Sequence, residues 1–293
     1  VLAVLVGGAQ SRPAAFPPTV FLVSFDGWRW DYHTRYDAPN VRRLMERGVR
    51  AEHLIPSFPS KTFPNHYTVV TGLYPGHHGI VANTIRDLPT GRQFSLSSRH
   101  EVRDSMWWGG EPLWVRLQNS GRAAAAVFWP GSEAPIRGQQ PRFWAPFDES
   151  VPGNARVDQV LRYLDLPDAD RPAFLMVYFE DVDTVAHTSG PDSTAVGNVV
   201  RRVDGYLGRL LAGLQRRGLA DAVNIVVTSD HGLAATSNDR VVVLDDYISL
   251  DDVEMVDLSP LLTVYPRAGR EEAVYRALAS AHPRLRVYRR EHT

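Results

Sequence analysis

The segment Ser60-Lys61-Thr62-Phe63-Pro64-Asn65-His66-Tyr67 places a threonine at the expected head of a helix, between separate clusters of Asp and His. Asp26 precedes Gly27 upstream; Asp183, His187 and the adjacent pair Asp230-His231 lie downstream. Each acidic residue comes at or just after an apolar run. Three carboxylates and two imidazoles so placed suit a pair of divalent metals with N and O ligands. Asp183 and His187, four residues apart on a helical turn, face the same way and can share one metal. Alone they read equally well as a solvated Asp beside a capping His. Asp230 and His231 can share a metal only where the backbone turns sharply after a strand, and Gly232 suits that turn. Asp26 alone would be read as a helix cap; its company makes the difference.

A free threonine hydroxyl is a poor nucleophile, and metal coordination lowers its pKa. Thr62 can therefore attack phosphorus while also capping its helix, whose N-terminus offers N–H groups to phosphate oxygens. Two metals close together can bind the attacking and leaving oxygens of an in-line displacement. The residues point to a two-metal hydrolase of phosphate esters, with zinc preferred and manganese less specifically indicated.

Composition narrows the alternatives. The 293-residue chain has 44% hydrophobic and 22% charged residues and a formal net charge of −1, so bulk charge gives no argument for nucleic acid or an anionic membrane. It has no cysteine, which excludes disulfides, thiolate catalysis and sulfur-ligated zinc. Lys61 is the only lysine, and an arginine-biased composition accounts for that. Val1 to Ser11, followed by a linker-like Arg12–Pro18, reads as a signal-peptide remnant in preference to a buried strand, so that 1–19 is remnant and linker. Export to the periplasm or outside is expected, with no segment able to anchor in a membrane.

The positioning elements follow from periodicity. Strands are expected at 20–25, 123–128, 174–179 and 223–228, and helices at 39–48, 62–71, 111–119 and 193–217. Their alternation argues for a mostly parallel α/β sheet flanked by helices, with ligands beyond the carboxyl ends of the strands. The stretches 84–122 and 130–152 read as loop insertions over the site. Beyond 241, a strand at 261–265, a helix at 271–281 and a strand at 285–288 read as a small addition to one catalytic domain spanning 20–293.

Four motifs carry a resemblance: FDGWRWDY, PSFPSKTFPNHYTVVTGLYPGHHGIVAN, YFEDVDTVAHTSGP and TSDHG. In order and spacing they are similar to the nucleotide pyrophosphatase/phosphodiesterases of the alkaline phosphatase superfamily, from about Val20 onward. The resemblance implies an alkaline-phosphatase-like fold and two Zn2+. Asp26, Thr62, Asp230 and His231 would surround one zinc, and Asp183 and His187 would bind the other. Thr62 would form a phosphothreonyl intermediate. Asn83 and the Phe63 N–H would contact a phosphate oxygen, and Phe63 and Tyr178 would flank a nucleobase. The substrate would be a small nucleotide diester or pyrophosphate, cleaved to a nucleoside 5′-monophosphate. The family pattern has a third histidine on the second zinc, in a Gly-x-His-Gly segment. The chain ends at Glu291-His292-Thr293 without one, and neither His282 nor His292 has that setting, so a truncated C-terminus is expected. A phospholipid diesterase, a phosphonate hydrolase, and a zinc-deficient protein that binds phosphate esters without turnover are the alternatives.

Overall fold

The computed structural model describes residues 16–292; the N-terminal apolar run and the His292 side chain lie outside the described residues. The strands are β1 (Thr19–Phe25), β2 (Thr84–Arg86), β3 (Gln93–Ser95), β4 (Ala124–Val127), β5 (Phe143–Ala145), β6 (Phe174–Phe179), β7 (Val223–Thr228), β8 (Val253–Asp257) and β9 (Thr263–Pro266). The helices are α1 (Tyr32–Arg35), α2 (Pro39–Arg47), α3 (Thr62–Thr71), α4 (Pro75–His78), α5 (Arg99–Val102), α6 (Leu113–Asn119), α7 (Gly153–Leu164), α8 (Asp181–Ser189), α9 (Thr194–Arg216) and α10 (Glu271–Ala279).

A five-stranded sheet in the order β5-β4-β6-β1-β7 forms the centre, and its neighbouring strands all run parallel. Alternation along β1 explains why both faces are covered. Phe21, Val23 and Phe25 point into a core built with α7, α8 and α9. Leu22 points the other way, into a core with Tyr67 and Val70 of α3 and Trp114 of α6. Full burial of a phenylalanine such as Phe21 is worth about 1.5–3 kcal/mol relative to exposure. The long α9 buries Val199, Val203, Leu207, Leu210 and Leu214 as one stripe.

Two expectations need correction. The 84–122 stretch is more than a loop over the site. It contributes the β2–β3 hairpin and buries Phe94, Trp107, Trp108 and Trp114 in the second core. The strand expected at 285–288 does not form; Leu285 and Val287 instead pack from irregular backbone against a small C-terminal core of Ile248, Val253, Val274 and Leu278. The expected strand at 261–265 is β9, and its partner is β8. This C-terminal part meets the main sheet's loops through two ion pairs, Lys61–Asp257 and Arg86–Glu254.

The parallel register brings the chemistry together. Phe25 pairs with Phe179 and Ser24 with Thr228, so Asp26, the start of α8 and Asp230 all emerge at the same end of the sheet.

A candidate metal centre at the carboxyl end of the sheet

Asp26 extends the β1 ladder by one bond, its N–H donating to the Phe179 carbonyl at 2.9 Å, while its own carbonyl accepts from the Asp183 N–H at 3.2 Å. Gly27 makes this convergence possible. It has φ +69°, and a Cβ there would lie 2.9 Å from the Asp183 Cα, so both backbone conformation and space require glycine. The Gly27 N–H also donates to Asp230 Oδ1 at 3.2 Å.

Asp26, Asp230 and His231 form the interior group. His231 Nε2 lies 3.2 Å from Asp230 Oδ2 and 3.6 Å from Asp26 Oδ1. Asp26, Asp183 and His231 bring one ligand atom each within 4.8 Å of one another, as do Asp26, His66 and Asp230. Asp183 and His187 stand on α8 as expected, with Nε2 and Oδ1 3.4 Å apart; the His187 side chain is 67% exposed, which puts this pair at the rim.

The oxygens Asp26 Oδ1, Asp183 Oδ1 and Asp230 Oδ2 are buried with no hydrogen-bond partner among the described residues. Buried carboxylate oxygens are rarely left so, and bound cations would supply the missing partners. Without one, burial pushes Asp230 up to about 7. Burial first, and then the Asp230 charge, raise Asp26 well above the usual carboxylate range. The donor set therefore fits a divalent metal bound by oxygen and imidazole nitrogen. Among the described residues His187 belongs to no group of three or more close ligand atoms, and His282 Nδ1 is taken by the Arg284 N–H.

Thr62 departs from the capping expectation in an informative way. It is the first residue of α3, Lys61 holds the cap position, and no side chain caps the helix. The Thr62 hydroxyl is thus not spent on the helix. Gly72 ends α3 in the left-handed conformation, φ 67°, with its N–H on the Thr68 carbonyl. Asn65 clamps the approach to Thr62, its amide donating to the carbonyls of Ser57, Pro59 and Lys61.

His66 is a residue that the sequence reading missed, although its position four after Thr62 on one helix was the available signal. Its Nδ1 lies 2.8 Å from the Thr62 carbonyl, which can only accept, so Nδ1 carries the proton. Nε2 then accepts from Ser24 Oγ at 2.8 Å. Burial lowers its pKa and keeps the ring neutral. With both nitrogens occupied, His66 serves to hold Thr62 against the carboxylates, at 3.5 Å from Asp230 Oδ2, and is not available as a ligand.

Asn83 also takes a different arrangement from the expected one. Its Oδ1 accepts the Phe63 N–H at 3.0 Å, so that N–H is engaged and the Asn83 Nδ2 is the group left to donate. The Phe63 ring is half-buried against Phe94 and Trp108. Tyr178 does not offer an open stacking face. It is 7% exposed, packs edge-on against His66, and donates its hydroxyl to Asp26 Oδ2 at 2.6 Å. The half-buried ring beyond it is Phe147, 6.2 Å from Tyr178.

A parallel sheet with Asp and His gathered beyond its strand ends defines an alkaline-phosphatase-like α/β protein with a site able to hold metal. The profile of the type I phosphodiesterase / nucleotide pyrophosphatase family matches residues 20–293, and the chain belongs to that family. It is 43% identical over 259 residues to an uncharacterized pyrophosphatase/phosphodiesterase of Schizosaccharomyces pombe, covering 88% of this chain and 53% of that protein. It is 37% identical over 273 residues to human ectonucleotide pyrophosphatase/phosphodiesterase family member 5, covering 93% of this chain and 57% of that one. The chain thus spans just over half the length of these curated relatives. The structure of murine ectonucleotide pyrophosphatase/phosphodiesterase 5, an inactive threonine-to-alanine variant in complex with AMP, superposes with TM-score 0.89 at 38% identity, covering 94% of this chain and 73% of that one.

Proposed function

We propose that this chain hydrolyses phosphodiester and pyrophosphate bonds of nucleotides and releases nucleoside 5′-monophosphates through a phosphothreonyl intermediate on Thr62. The observation that carries the reading is the convergence of three partnerless buried carboxylate oxygens beside a threonine that His66 ties to them. The murine relative, inactive as a threonine-to-alanine variant and bound to AMP, supports both the nucleophile and the nucleotide.

Asp26, Asp230, His231 and Thr62 would hold one zinc, and Asp183 with His187 a second. When bound, such ions supply positive charge that lowers the pKa of the threonine hydroxyl and stabilises the leaving oxygen. Thr62 Oγ1 attacks phosphorus as its proton passes to solvent, the bond from phosphorus to the leaving oxygen breaks, and water then attacks phosphorus, breaking the bond to Oγ1, which regains a proton. Two in-line displacements give net retention at phosphorus. Asn83 Nδ2 donates to a non-bridging oxygen as charge builds there. Pro64 has no N–H, and the Phe63 N–H is already engaged by Asn83, so Asn83 takes over much of the anion recognition expected of the helix terminus. Phe63 is retained as one wall for the base. Phe147, rather than the closed Tyr178, is the second.

Diesters are favoured over monoesters, because Lys61, the cation next to Thr62, is neutralised by Asp257 and does not offset the added phosphate charge. No helix among the described residues is long and apolar enough to cross a membrane; export to the periplasm or beyond is proposed on the N-terminal apolar run. The test is hydrolysis of a nucleotide p-nitrophenyl diester against p-nitrophenyl phosphate in added zinc. Fast cleavage of the diester with little of the monoester is the expected result. No cleavage of either would leave a phosphate-ester binding protein as the better reading.

A further inference from the structure

Arg156 is a buried charged side chain of α7 that the proposed chemistry does not use; it is 2% exposed. Its guanidinium makes a bidentate pair with Glu180, Nη2 to Oε1 at 2.7 Å and Nη1 to Oε2. Nη1 also donates to the Tyr178 carbonyl at 3.1 Å, and Nε to the Val151 carbonyl at 3.0 Å. The same group lies over the ring of Phe128 at 4.9 Å and that of Phe147 at 5.9 Å. A buried guanidinium is tolerated only when its donors are met, and its planar fork gives directional bonds on its edge while its faces pack on rings.

Two further observations point at the same wall. Phe128 has φ +67°, a conformation that a non-glycine residue holds only when its surroundings impose it. It packs edge-on against Phe147 with centroids 5.5 Å apart. The Phe147 N–H donates to Glu133 Oε1 at 3.0 Å; Glu133 is itself buried and paired with Arg99 and Arg103. A loop-borne aromatic residue is thus fixed at its backbone by one buried charge and at its ring by another.

We propose that Arg156 is a specificity-positioning residue: it sets the plane and depth of the Phe147 ring, and through it the preference for substrates that carry a planar base. The inference rests on Phe147 being a wall of the base site. Lysine cannot replace the planar fork, since a point ammonium cannot pair bidentately with Glu180 while packing on Phe128 and Phe147. Misplacement of a binding wall by about an ångström is enough for large kinetic effects.

The experiment compares the p-nitrophenyl ester of thymidine 5′-monophosphate with methyl p-nitrophenyl phosphate, which has no base, using the zinc-loaded full chain. Arg156→Lys should raise KM for the nucleotide ester about tenfold and leave kcat/KM for the methyl ester within about threefold. Phe147→Ala should show the same selectivity, and the double variant should be no worse than Phe147→Ala alone, as expected for residues acting through one contact. Equal losses on both substrates in Arg156→Lys, with Phe147→Ala still selective, would overturn the proposal and leave Arg156 a structural residue. If neither variant raises the nucleotide KM selectively, the base-wall reading is overturned instead. If Arg156→Lys does not fold, Glu180→Gln, which keeps the guanidinium and removes its charged anchor, should raise the nucleotide KM selectively by a smaller factor; an unselective effect there would equally overturn the proposal.

Discussion

The Tyr178 hydroxyl donates to Asp26 Oδ2 at 2.6 Å, with both residues buried. The bond leaves Oδ1 of the same carboxylate without a partner and fixes which oxygen faces the proposed metal. It also explains why Tyr178 cannot be a free base-stacking ring. Partners that orient a ligand typically change metal affinity 10–100-fold when lost. Tyr178→Phe keeps the ring packing and removes the bond, so zinc affinity should fall by about that range while nucleotide KM changes little. Competition titration of zinc with a chromophoric chelator measures the first, and steady-state kinetics at saturating zinc the second. An unchanged zinc affinity would show that the bond does not orient Asp26.

Much of the geometry of the candidate site was readable because the residues proposed as ligands follow long apolar runs. Asp26 and Asp230 were placed by the strands before them, and Asp183 with His187 by helical spacing. The surroundings of Thr62, the proposed nucleophile, were less readable. His66 looked like one more residue of a helix, because its role depends on Ser24 from a different element. Tyr178, given a base-flanking role by the resemblance, is instead turned inward to Asp26, and the direction of a strand side chain depends on packing that the motif does not show. The strand expected at 285–288 failed because its apolar residues serve a local core without a sheet to join. The α7 helix and Arg156 carried no motif, and only the packing of β6 and β4 against them gives Arg156 its place.

Thr62 and Asn83 should separate covalent chemistry from charge stabilisation. Thr62→Ala should abolish turnover and retain bound zinc, since aspartates and histidines would supply most of the proposed ligands. Asn83→Ala should lower kcat by about 10²-fold, the usual scale for loss of one oxyanion donor. Asn83 also fixes the Phe63 N–H, so its loss frees that N–H to compensate in part, and Asn83→Asp should be worse than Asn83→Ala because it adds a like charge near the phosphate. Stopped-flow assays of all three variants on the nucleotide p-nitrophenyl ester test this. Near-full activity in Thr62→Ala would end the phosphothreonyl mechanism.

The buried carboxylates predict how metal-free protein responds to pH. Burial raises the folded-state pKa of Asp230 from 3.8 to about 7, so the folded protein keeps a proton that the unfolded chain has released. Its contribution to stability is fully present below about pH 3.8 and is lost as pH rises through about 7. Asp26 shifts in the same direction. Carboxylates paired with arginine, such as Asp158 and Asp165, shift the opposite way and act below that window. Between pH 4.5 and 7.5, roughly bracketing this change, the Tm of metal-free protein should fall with rising pH. The fall should be smaller in Asp230→Asn and largely removed by saturating zinc. Parallel pH profiles for wild type and Asp230→Asn without metal would refute the assignment.

Lys61, which composition alone left unremarkable, has a specific structural partner. Its ammonium pairs with Asp257 Oδ1, and the two side chains are 5% and 11% exposed. The pair joins the residue before Thr62 to β8 of the C-terminal part, and Asp257 Oδ2 has no hydrogen-bond partner among the described residues, so the carboxylate depends on Lys61. Removing one member of a buried pair strands the other charge and typically costs about 3–5 kcal/mol, whereas replacing both by apolar side chains can be nearly neutral. Lys61→Met and Asp257→Leu should each destabilise by about that amount, and the double variant should recover most of the stability. Activity per folded molecule should not recover with it, because an apolar pair no longer holds the Lys61 backbone, the carbonyl that accepts from Asn65, in register with Thr62. Urea unfolding and kcat on the same four proteins give both quantities. If kcat returns together with stability in the double variant, the pair only fastens the C-terminal part and has no hand in placing Thr62.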